Sequence, residues 1–408
     1  TRRSSDLSEL STLETFDKDP LSLLLFLEEK AIKAIDGSDM VLAIEACKKA
    51  EDLVEALQAQ GSLIDPDVVQ VILHNSAMCH QSTENLDKCL MYLDACAYNC
   101  KILKSLKDKR LDEALRRTKY LSKVYLQICS TYAQLGRHSE ALKAAYAGLK
   151  YSMYTIKASL QCAKARNTRL KLNKRNRTPS ESDLILLSQV QQVTPFLKAI
   201  LKVAHGERVA GPVEMRSAVG LKGASEWIES FTISDLMTLQ PMSSAEFKSQ
   251  GNLTTELSKD YVMIKLSLVV TSFFCIATEL KSLSQEKAYD GRNPREAEAY
   301  HKRALELARS FYPFDCPLRK HIEQTYRQRF FNILQEIPER PRTVTPSKKR
   351  GVSHSPSALP DMLSSPLTIL PKPRKLNKLQ PDRPKSVKPG KRRVASKSSY
   401  KDLMNHLT

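Results

Sequence analysis

The sequence is poor in features that catalytic and secreted proteins rely on. It has a single tryptophan, Trp227, and aromatic residues make up only 6% of its 408 positions, so an aromatic-lined substrate or sugar cleft is not expected. No HExxH, no GxSxG, no phosphate loop ending in Gly-Lys-Ser/Thr and no dinucleotide GxGxxG occurs. Gly220 to Ser225 has two glycines but no strand before it and reads as an ordinary loop, and nothing beside Trp227 or Glu229 supplies a nucleophile with its base. No enzyme, cofactor, metal or small-molecule substrate is therefore expected. The longest uncharged stretch of the most apolar region, Leu266 to Thr278, falls short of the roughly 20 residues a membrane span needs. Thr1 rather than methionine opens the sequence, which reads as a trimmed or partial chain, and no charged-then-apolar leader opens it, which argues against secretion. Nine cysteines, an odd number without a compact spacing framework, read as buried thiols in a reducing compartment.

What is abundant is positive charge. The net charge is +19, and it is concentrated in two places. Residues 338–408 hold 17 basic and 4 acidic residues, and residues 157–178 hold 8 basic and no acidic ones, so the rest of the chain is close to neutral. From Pro338 onward the chain also carries 11 of the 20 prolines, many serines and few apolar residues, the composition of a disordered tail.

Between these extremes the pattern is helical. Residues 1–19 are rich in Ser, Thr and charge and read as disordered, and Pro20 can open a helix. From there to about residue 165, segments with apolar residues at helical spacing alternate with short breakers: Gly37-Ser38, Gly61-Ser62 and Gly136-Arg137-His138. No strand is expected. Residues 166–182 read as a helix end passing into a basic exposed linker, and 183–337 as a second helical block. Within that block residues 205–256 hold five of the twelve glycines and read as a loop-rich insert with short helices, and 257–335 as a hairpin.

Residues 125–149 carry the clearest unit. Tyr125, Ile128, Cys129 and Tyr132 line one helix, Gly136 makes a turn, and Ala141, Ala145, Gly148 and Leu149 line the next. This unit resembles a tetratricopeptide repeat (TPR), in which small residues on the second helix let two backbones approach. The small triplet recurs as Ala43, Cys47, Ala50 and as Cys89, Leu93, Cys96, at steps of 46 and 52 residues against about 34 in the family. Residues 295–322 look like the longer repeat of kinesin light chains, with Ala297, Ala304 and Leu305 as packing positions, a turn at Pro313, Asp315 and Pro317, and Tyr261–Leu283 as partner helix. The resemblance implies an all-α fold, an α-solenoid of divergent TPR-like hairpins, and a non-enzymatic scaffold that binds partner peptides in a groove. The chaperone-clamping version of the repeat is disfavoured, because Glu28 and Ile32 stand where it has Lys and Asn. Asn75, Lys123 and Gln127 remain as the groove candidates.

Cys89, Cys96 and Cys100 share one helical face and, with His74, Cys79 and His80, offer zinc-binding groups; two of them occupy small-residue packing positions, which favours core packing instead. In the tail, Lys348, Lys349, Arg350, Lys372, Arg374, Lys375, Lys378, Lys391, Arg392 and Arg393 are polyanion-binding candidates. A microtubule surface, nucleic acid and anionic lipid all fit that charge, and the scarcity of aromatics there disfavours base stacking. The expected location is cytoplasmic, at the cytoskeleton or cilium, with the nucleus as alternative if the tail is an import signal. Ser4 follows two arginines, and Thr178, Thr345, Ser355 and Ser365 precede prolines, as kinase acceptors do. A phosphate adds about −1.5 to −2 charge. Replacing Ser355 and Ser365 by Asp is expected to weaken binding of the full chain to a polyanion, measured by co-sedimentation across salt concentrations; unchanged binding would remove the switch.

Overall fold

A computed structural model describes residues 19–105, 111–176, 180–207, 232–237, 239–249, 257–285 and 294–331. All lie in the first of two units of the chain, 1–337; the tail 338–408 lies outside the described residues, as do residues 1–18 of the segment 1–19 read as disordered, and the acceptor sites Ser4, Thr178, Thr345, Ser355 and Ser365. The fold is all-α, with no strand among the described residues.

The helices begin and end where local chemistry dictates. Helix α1 (Pro20–Asp36) opens on Asp19, whose carboxylate accepts from the Leu21 amide at 3.1 Å, with Pro20 in the first turn, where no N–H is needed. Helix α2 (Met40–Ala59) is capped by Asp39 and α3 (Pro66–Ser82) by Asp65, again followed by proline. Helices α4 (Leu86–Ser105) and α5 (Leu111–Gln134) follow, and Gly136 at φ +69° turns the chain into α6 (His138–Asn176). A reciprocal Ser180–Asp183 capping box starts α7 (Glu181–His205), and Gly206 at φ +93° ends it. Two short helices, α8 (Ile233–Met237) and α9 (Ser244–Ser249), precede α10 (Lys259–Gln285), α11 (Pro294–Phe311) and α12 (Pro317–Tyr326), which runs into a π-helical turn, Arg327–Phe331.

Sequential helices pack pairwise: α1 on α2, α3 on α4, α5 on α6, α10 on α11. Three-residue turns after α1, α4's predecessor α3, and α5 make those neighbours antiparallel. The small triplets Ala43, Cys47, Ala50; Cys89, Leu93, Cys96; and Ala141, Ala145 are all buried. So are Ile128, Cys129, Leu149, Ala297, Ala304 and Leu305, while Tyr125 and Tyr132 are half-buried and Tyr125 stacks on Tyr151 at 5.5 Å. None of the nine cysteines is in a disulfide, and all are buried.

The basic stretch 166–182, read as a helix end passing into an exposed linker, is helical as far as Asn176, which makes α6 39 residues long. The two helical blocks also share one core, because α10 packs on α5, α6 and α7 as well as on α11. Residues 183–205 and 260–285 are each long and apolar enough to cross a membrane by length and composition. The apolar window of the second is 83% buried within the protein, which accounts for its apolar circumference.

Gly148 marks where three of these helices meet. Its carbonyl accepts from Ser122 Oγ of α5 at 3.2 Å, and a Cβ there would lie 3.4 Å from Leu126 Cδ2 and 3.6 Å from Ser272 Oγ of α10. Gly148→Ala is expected to be tolerated, since one methyl fits at contact distance and helix propensity improves by about 1 kcal/mol. Gly148→Leu should destabilise by about 1–3 kcal/mol through overpacking, read from urea midpoints; equal midpoints for both would contradict close approach.

Candidate peptide-binding groove

Helices α1, α3 and α5 present polar side chains toward one strip of chain, residues 239–249, which runs antiparallel to α3. Residues 239–243 have no regular structure and lead into α9. Gln81 Oε1, near the end of α3, accepts from the Leu239 amide at 3.2 Å. One turn and more upstream, His74 Nε2 meets the Gln240 carbonyl at 3.0 Å. The Asn75 side-chain amide takes both main-chain groups of Met242, donating to its carbonyl at 2.9 Å and accepting from its N–H at 3.0 Å. Glu28 of α1 accepts from the Ser244 N–H at 2.6 Å, at the positive end of α9. Arg116 of α5 donates to the Phe247 carbonyl at 2.9 Å, and its guanidinium lies 4.7 Å from the centre of the Phe247 ring.

Apolar anchoring accompanies this grip. Leu239, Met242 and Phe247 are buried, and Phe247 packs edge-on to Tyr120 at 5.2 Å. Arg116 is itself held by the buried Asp67 at 2.7 Å, so the cation facing the strip is already neutralised. Lys248 pairs with Asp65 at 2.6 Å, a pair exposed enough to contribute little. Beyond the start of the strip a cavity of about 700 Å³ opens, lined in part by Ser130, Gln134, Met237 and His321.

The hydrogen bonds form a directed relay. Asn99 Nδ2 donates to Gln70 Oε1 at 2.9 Å, and Gln70 Nε2 donates to the Tyr120 hydroxyl at 3.1 Å. A carbonyl only accepts, so His74 Nε2 carries the proton that meets Gln240. Burial pulls the His74 pKa down to about 3, with Lys123 adding to the effect, so the ring is neutral and Nδ1 accepts from Tyr120 at 2.9 Å. Glu28 shifts the opposite way: desolvation raises its pKa despite the Ser244 N–H.

The groove candidates need correction as open contact points. Asn75 is 1% exposed and engaged by Met242, and Gln127 is fully buried, with neither amide atom hydrogen-bonded to a described residue. Lys123 is half-buried, and desolvation lowers its pKa. The strip covers Asn75. Sequence reasoning missed the strip and its holders Glu28, His74, Gln81 and Arg116, because partners such as Asn75 and Met242 stand 167 residues apart. The one local signal was Ser243 with Glu246 three residues on, a helix-start pattern realised as a 3.1 Å bond from the Glu246 amide to Ser243 Oγ. The six metal-capable groups do not converge: Cys96 and Cys100 point at Gln70, His80 stacks on Tyr92 at 5.4 Å, and no group of three His, Cys, Asp or Glu could hold a metal among the described residues. The ten tail cations, Lys348 to Arg393, lie outside the described residues. Comparison with protein-family models, with curated proteins and with solved structures returns no match to this chain.

A histidine near pKa 6.5 when unfolded and about 3 when folded binds more protons unfolded, so its stability contribution is present above 6.5 and is lost as pH falls toward 3. His301, lowered to about 4 by burial, acts with the same sign; Glu28, raised, acts oppositely. Urea unfolding of wild type and His74→Gln from about pH 6.5 down to about pH 4 should show the variant losing less stability, by up to one proton's linkage. Parallel curves would contradict a neutral, buried His74.

Proposed function

We propose that this chain is a non-enzymatic scaffold: an α-solenoid of divergent TPR-like hairpins that holds partner proteins through the groove of α1, α3 and α5. Its basic tail adds an electrostatic contact with a polyanionic surface, of which the microtubule is the favoured example. The observation that carries this reading is the grip on residues 239–247, where side chains from three successive hairpins hold the main chain of an irregular segment and of the short helix α9 that follows it. The buried small triplets on the second helix of each hairpin support the repeat reading, since close backbone approach is what a TPR needs them for. Two weak contacts on one chain, groove and tail, reinforce each other through effective concentration. The location that follows is cytoplasmic, at the cytoskeleton or cilium.

A nuclear or RNA-associated scaffold is the second reading, favoured by the Lys391-Arg392-Arg393 cluster, which has the form of an import signal. Salt-dependent co-sedimentation with microtubules, with RNA as competitor, separates the two. The full chain is expected to pellet with microtubules at low salt, to lose this when the ten tail cations named above are changed to Gln, and to resist RNA. Complete competition by RNA would favour the second reading, and absence of binding to either would remove the tail contact from the proposal.

A further inference from the structure

The strip formed by residues 239–248 is held as a bound peptide is held. Five side chains, Gln81, His74, Asn75, Glu28 and Arg116, bond to main-chain atoms of Leu239, Gln240, Met242, Ser244 and Phe247. Contacts to main-chain groups read the backbone path, irregular over 239–243 and helical from Ser244, and accept any sequence that can adopt it. Selectivity then comes from the buried side chains, Leu239, Met242 and Phe247, at relative positions 1, 4 and 9. Helix α8 before the strip and α9 at its end, of five and six residues, are too short to be stable alone, so the order of the strip derives from the groove.

A second observation points to another occupant. Glu28 Oε2, on the carboxylate whose other oxygen accepts from the Ser244 N–H, is buried without a hydrogen-bond partner among the described residues. An unpaired buried polar atom carries its full desolvation penalty, so the strip leaves this acceptor unused. A peptide able to pair it competes on better terms than its length alone implies.

We propose that residues 239–248 are the internal occupant of a peptide site, and that the site's ligand in trans is a partner segment of an irregular stretch running into a short helical turn, with large apolar residues at positions 1, 4 and 9. Partner binding displaces the strip, which lowers the apparent affinity by the fraction of molecules whose groove is closed. This rests on the scaffold reading above and names the ligand class of the same groove.

The probe is a fluorescein-labelled peptide copying residues 237–249, titrated into the full chain and followed by anisotropy. Met242→Ala with Phe247→Ala in the chain, both in the strip and neither in the groove, is expected to tighten peptide binding at least ten-fold over wild type. Adding Asn75→Ala to that chain should weaken it at least ten-fold, and so should Phe247→Ala in the peptide. Equal binding to wild-type and loosened chains, or indifference to Asn75→Ala, overturns the proposal. Should the loosened chain lose its helical circular dichroism, hydrogen exchange on wild type decides: saturating unlabelled peptide should speed exchange of the Met242 and Ser244 amides, and unchanged exchange overturns the proposal. Dimerisation that the peptide dissolves would assign the groove to a second copy's strip and overturn the partner ligand. Microtubule binding is measured on the same chains: if it persists while the peptide fails, the groove ligand falls and the scaffold reading stands; if both fail, the scaffold reading falls with it.

Discussion

The Asn75 amide and the main chain of Met242 form a closed two-bond ring, buried between helices that are far apart in sequence. Each group is both donor and acceptor, so neither can be removed without orphaning the other in a place water does not reach. Around that ring the remaining contacts fall into register. Once Met242 is fixed, Gln240 lies at His74, Ser244 at Glu28 and Phe247 at Arg116. One side-chain amide thus sets the position of a strip that touches three helical hairpins.

The electrostatics of the groove follow from the same burial. A neutral His74 is needed for the relay from Gln70 through Tyr120 to Gln240, and desolvation is what keeps it neutral. Arg116 brings a positive charge to the same face, but Asp67 pairs with it inside the protein, so its outward hydrogen bond to Phe247 carries no net charge across the interface. Glu28 is the uncompensated element. Its raised pKa and its unpaired Oε2 mark the point at which the strip fits least well.

Much of the helical framework was legible in the sequence because its causes are local. Asp19, Asp39 and Asp65 stand at helix starts, Pro20 and Pro66 follow two of them, and Gly136 ends α5, all within a few residues of the structure they create. The pairing of α10 with α11 was readable from the apolar run 261–283 and the Ala-rich face at 297 and 304. The basic stretch 166–182 was read as a helix end passing into a linker, and the helix extends as far as Asn176, a limit that charge and composition do not fix. Asn75, Lys123 and Gln127 were read as groove positions, but the covering strip lies among the glycine-rich residues 205–256, where periodicity carries no signal.

By itself the sequence determined the all-α class, the helix boundaries set by caps and glycines, the burial of the thiols and the segregation of positive charge into the tail. These depend on neighbours within a turn or two, or on composition. Only the tertiary structure decided that α10 joins both helical blocks into one core and that residues 239–249 lie across α1, α3 and α5. The strip's hydrogen bonds join groups more than 130 residues apart, and the α10 contacts join helices from separate stretches of the chain. No local pattern encodes such a match, since each partner becomes specific only when the other is in place.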